Sequence, residues 1–80
     1  MDSQRLGRIL KDMQSREEPV KTPIRGVRNW IEEVHPWGVT LRSEEARVNP
    51  TRTFTWEEIE EGSHTHGVIK KSLRLLVGEE

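Results

Sequence analysis

The chain has no cysteine, two aspartates, one phenylalanine and no long apolar run. The lack of cysteine removes disulfide staples, thiolate zinc sites and thiol catalysis together, and it fits a reducing compartment, the cytoplasm. No segment approaches the roughly 18 apolar residues of a membrane span, and the opening MDSQRLGRILKDMQ lacks the apolar stretch of a secretory signal, so no membrane contact is expected. The two aspartates, Asp2 and Asp12, lie near the start, and no serine sits in a glycine-flanked elbow, so a Ser-His-Asp arrangement has no third member. Gly62 and Gly67 are isolated, which excludes a glycine-rich phosphate loop. The adjacent pairs Glu57 with Glu58 and Glu60 with Glu61 point apart on a helix instead of converging on a substrate. The expectation is a non-enzyme with no cofactor.

What is present is charge and a few large rings. Charged residues make up 34% of the 80-residue chain and hydrophobic ones 31%, so one small domain is expected. A chain of this length buries only about 60–65% of its unfolded surface. Phe54 and the three tryptophans are therefore expected to carry much of the core, Trp30 and Trp56 among them. The charge is uneven. Residues 1–30 hold seven Lys and Arg against four Asp and Glu, while the remaining fifty hold six against ten. Such asymmetry can steer an anionic partner to one face, yet a pI near 6.3 is below that of dedicated nucleic-acid binders.

Leu6, Ile9, Leu10 and Met13 recur at helical spacing, which predicts a helix over residues 3–16 within an N-terminal segment 1–18, with Asp2 or Ser3 as its cap. Arg8 and Lys11 fall on the opposite side. Residues 19–26, with Pro19, Pro23 and Gly26, read as a linker or an extended edge, and residues 27–80 as strands followed by helices. Val27, Trp30, Ile31 and Val34 match helical spacing too, but EVHPWGVTLRS reads as strand, turn and strand, with Pro36 and Gly38 placing the turn. TRTFTW gives a third strand by alternation. Thr55 and Glu58 form a capping-box signature for a helix that stops at Gly62. HGVIKKSLRLLVG resumes helical order with Ile69, Leu73, Leu76 and Val77 on one face, against a competing strand through Leu73, Leu75 and Val77. The fold expected is α+β: an N-terminal helix, a three-stranded antiparallel meander, and one or two C-terminal helices on one sheet face.

Three features could carry function. Lys70, Lys71 and Arg74 cluster on the polar side of the last helix, where they could neutralise phosphates, and Arg8 with Lys11 could extend that surface. Trp37, at the tip of the HPWG turn, could stack on a base or anchor a protein partner if the turn presents it to solvent. His64 and His66 could share a zinc or nickel ion with His35 or Glu61, although an H-x-H pair without further ligands is a weak signal, and a turn capping the last helix explains the stretch as well.

Residues 27–62 resemble small strand-strand-strand-helix modules that accompany restriction-endonuclease-like, phage and mobile-element proteins. The matching positions are Val34, Gly38, Val39, Leu41, Ser43, Phe54, Trp56 and Ile59. No D…E-x-K triad is present to hold a catalytic metal, so the resemblance implies a DNA-associated accessory module and not a cutting one. The resulting expectation is a nucleic-acid-associated binding or regulatory module. The alternative is a protein-interaction modulator of phage or plasmid type that acts through the acidic run Glu57 to Glu61, and an exposed edge strand also permits a homodimer.

Overall fold

A computed structural model describes residues 1–45, 48, 50–62 and 65–78. The element order is α1 (Ser3–Ser15), β1 (Val20–Lys21), β2 (Arg28–His35), β3 (Gly38–Ser43), β4 (Thr51–Thr55), α2 (Trp56–Glu61) and α3 (Gly67–Leu75). The strands form one antiparallel sheet in the order β1-β2-β3-β4. Among the described residues no helix is long and apolar enough to cross a membrane.

The sheet has four strands where the sequence predicted three. The extra strand is Val20–Lys21, paired with Arg28 and Asn29, in the stretch read as a linker. Two devices make the reversal possible. Thr22 Oγ1 accepts the Val27 amide at 3.0 Å, and Gly26 takes a left-handed φ of 64° that closes the turn. Asn29 then donates from Nδ2 to the Val20 and Val27 carbonyls, tying the turn to β2.

Strand alternation divides the sheet into two unlike faces. Val20, Ile31, Val39, Leu41 and Phe54 point to one side, where they join Leu6, Leu10 and Met13 of α1, Ile59 of α2, and Ile69 and Leu73 of α3 in a single core. All three helices therefore cover the same face. A bulge at Glu32 shifts the register between Ile31 and Glu33 and lets Val34 return to the core side. Gln14 of α1 donates to the Glu32 carbonyl at 2.8 Å and secures that bulge.

The core differs from the expectation in what fills it. No tryptophan is fully buried, and aliphatic side chains do most of the packing. Trp30 faces the open side because its neighbours Asn29 and Ile31 face inward, and Arg28 lies over its ring at 5.9 Å. Trp56 is half-buried against the core, packs beside Gly7, and donates from Nε1 to the Pro36 carbonyl at 2.8 Å.

The helix ends follow their local chemistry. Asp2 accepts the Arg5 amide, and Thr55 with Glu58 completes the capping box before the chain turns at Gly62, φ 67°. The C-terminal segment is helical through Leu75, so the competing strand reading does not hold.

Candidate nucleic-acid interface

The β2–β3 turn is two residues long, Pro36 and Trp37, between the paired residues His35 and Gly38. Pro36 favours the turn by its fixed φ, and the Trp56 amide donates to the Trp37 carbonyl at 3.1 Å, so the tip is held from below. Gly38 is required there because a Cβ would lie 2.0 Å from the Phe54 carbonyl oxygen.

This clamp leaves the Trp37 side chain 52% exposed. Its indole lies flat on the His35 imidazole, with centroids 4.4 Å apart and an interplanar angle of 1°. His35 is itself fixed, because Nε2 is 2.9 Å from Thr40 Oγ1, which is 2.9 Å from Thr53 Oγ1. One face of the indole thus rests on a braced ring, and the turn presents the other to solvent.

Arg8 and Lys11 stand beside this turn. With Val34, His35, Pro36 and Trp56 they line a groove of ≈ 410 Å³ between α1 and the edge of β2. Both side chains are exposed, one helical turn apart, and neither has an ion-pair partner among the described residues. The fold therefore brings Arg8 and Lys11 to a groove shared with Pro36 and His35 of the turn, and His35, which the sequence marks only as a spare metal ligand, carries the Trp37 ring. Strand alternation and the two-residue turn were the signals that could have found it.

The three cations expected on the last helix do not form a surface. Lys70 is 3% exposed, with Nζ 5.9 Å from the centre of the Phe54 ring. Arg74 is half-buried and donates to the Ile59 carbonyl at 2.7 Å, so it ties α3 to the end of α2. Of the three, only Lys71 is exposed. The correction has a geometric cause: α3 packs against α2 and also approaches β1, and this buries a wider arc than its apolar stripe.

The histidine pair is only partly described. His64 lies outside the described residues. His66 takes a left-handed φ of 55° at the start of α3 and meets the Phe54 ring edge-on at 5.8 Å. Desolvation first, then the charges of Arg52 and Lys70, push its pKa below the ordinary value. His35, committed to Thr40 and Trp37, is turned to the open side of the sheet and does not complete a set with His66. Among the described residues no group of three potential ligands is placed to hold a metal.

The acidic run is exposed at Glu57, Glu58, Glu60 and Glu61. Two of the four are engaged within the fold: Glu58 in the capping box, and Glu60 with the Met1 ammonium at 2.9 Å. Comparison with protein-family models, curated proteins and solved structures finds no match to the chain.

Proposed function

We propose that the chain is a non-catalytic module that binds single-stranded nucleic acid at the α1 and β2–β3 turn end. The observation that carries this reading is an exposed Trp37, braced flat on His35, with Arg8 and Lys11, which have no ion-pair partner among the described residues, lining the groove that His35 and Pro36 share. An unpaired base can stack on the free indole face, as bases do on aromatic platforms in many single-strand binders, while the backbone passes the groove and meets Arg8 and Lys11. A duplex keeps its bases stacked internally and cannot use that face without melting. The near-neutral charge of the whole chain favours modest affinity, in the range of about 10⁻⁴ to 10⁻⁶ M typical of binding through phosphates and stacking.

Fluorescence anisotropy of a labelled single-stranded oligonucleotide, titrated at several salt concentrations, tests it. Two phosphate contacts give a slope of log K against log salt of about −1.4, and removing Arg8 or Lys11 reduces it by about 0.7 each. A slope near zero, or one unchanged in the double alanine variant, would sink the reading. A protein partner docked on α2 is the second reading, supported by the exposure of its four glutamates, and a pull-down that survives the Arg8 and Lys11 alanine variants but is lost on neutralising Glu57 and Glu61 would favour it.

A further inference from the structure

On the helix-covered face of the sheet lies a second pocket, unrelated to the Trp37 end. It encloses ≈ 300 Å³ between β3, β4, the β1–β2 turn and the first turn of α3. Its apolar lining includes Val27, Leu41, Phe54, Val68 and Ile69. The polar part is unusual for a position inside a small domain. Arg52 pairs with Leu41 across the sheet, so its side chain starts from the core face of β4 where an apolar residue is the rule. It is half-buried, lines the pocket, and has no carboxylate partner among the described residues. The nearby carboxylate, Glu45, is paired with Arg25 at the rim. Lys70 is not part of this lining; it is buried behind Phe54, with Nζ 5.9 Å from the ring centre. Asn29 lines the cavity too, with its Nδ2 committed to two carbonyls. His66 starts α3 without a side-chain cap, which leaves the first-turn amides of Gly67, Val68 and Ile69 as donors.

A half-buried guanidinium with no carboxylate beside it among the described residues favours an anionic partner. We propose that this pocket binds a small organic anion with a flat apolar body, an aryl carboxylate, whose carboxylate meets Arg52 and whose ring lies among Leu41, Phe54 and Ile69. The volume suits such a ligand, being at the lower end for small-molecule sites. A fork-shaped donor matches a carboxylate with two parallel hydrogen bonds, which neither an alcohol nor an amide can reproduce. The field that depresses the His66 pKa comes partly from Arg52 and Lys70. An anion in the pocket offsets that field, so binding raises the His66 pKa, while the Arg25–Glu45 pair at the rim contributes little net charge.

The test is an NMR titration of the ¹⁵N-labelled full chain with benzoate and, separately, with its neutral isostere benzamide. Benzoate should saturate at about millimolar concentration or below, with shifts centred on Asn29, Arg52, His66 and Ile69, and should bind at least about tenfold more tightly than benzamide. The His66 ring proton should titrate at higher pH in its presence. Arg52→Gln should bring the two probes to equal affinity. Equal affinity of benzoate and benzamide for the native chain, shifts centred on Arg8 and Trp37, or no saturation would each overturn the proposal, and the comparison of probes needs no variant to fold.

Discussion

Replacing Gly38 by alanine adds one methyl group at the point where the hairpin is tightest. Its Cβ would lie 2.0 Å from the Phe54 carbonyl oxygen and 2.9 Å from both Phe54 C and Thr55 Cα, all of them backbone atoms that no rotamer change can move. Ordinary separations are about 3.5 Å, so β3 and β4 must part by more than about 1 Å. That displaces Phe54 from the core and loosens the Trp56 bonds to Pro36 and Trp37. The expected cost is about 3 kcal/mol, the upper end for overpacking, out of roughly 4–12 kcal/mol for a domain of this length. Urea unfolding followed by tryptophan fluorescence should show the midpoint falling by about 2–3 M for a denaturant slope near 1–1.5 kcal/mol per M. Gly7→Ala is the matched control. Its Cβ would meet Trp56 at 3.7 Å, an ordinary contact, and α1 should gain about 0.5–1 kcal/mol from the change in helix propensity. A Gly38→Ala midpoint within about 0.5 M of the native chain would refute the hairpin geometry.

Thr55→Ala removes the capping box and should lower stability by about 1 kcal/mol, read by thermal unfolding. Arg74→Gln gives up the bond to the Ile59 carbonyl and should cost about 1–2 kcal/mol, whereas Lys71→Gln should stay within about 0.5 kcal/mol; equal effects would contradict the packing of α3. Because the fold holds His66 below its ordinary pKa, the unfolded chain binds that proton more tightly. The His66 contribution is therefore full above about pH 6.5, declines as pH falls through that value, and levels off below the folded pKa. His66→Asn, which tolerates a left-handed φ, should flatten this part of the stability profile, and an unchanged slope would show that another group titrates there.

How far the sequence revealed this arrangement depended on how local the determining forces were. The first helix was legible because Leu6, Leu10 and Met13 form one stripe and Asp2 caps it. The second was legible because Thr55 and Glu58 sit at the spacing of a reciprocal cap. The strand reading of residues 27–35 rests on the turn chemistry of Pro36 and Gly38 against an equally good helical period, and the strand found is Arg28–His35. The first strand escaped notice because it is two residues long between prolines, and its pairing depends on Asn29, a contact nine residues away in sequence. The apolar spacing of Val27, Trp30, Ile31 and Val34 suggests a buried Trp30, but strand alternation puts Asn29 and Ile31 inside instead. Lys70 lies about 60° from Leu73 around a helix of about 100° per residue, so it stands at the border of the apolar stripe, and packing against two neighbours covers it. At the candidate site, Arg8, Lys11 and Trp37 were readable one by one. The approach of Arg8 and Lys11 to His35 and Pro36 depends on where α1 crosses the edge of β2, and no local pattern encodes that.

The most direct measurement is the affinity of a single-stranded oligonucleotide for the native chain and for Trp37→Ala, with the matching duplex alongside. Trp37 is a surface residue whose backbone bond to Trp56 survives the change, so the variant should remain folded. The account predicts preference for the single strand and a loss of about 1–3 kcal/mol in the variant, roughly five- to 150-fold in affinity. Equal binding by the two proteins, or preference for the duplex, would contradict it.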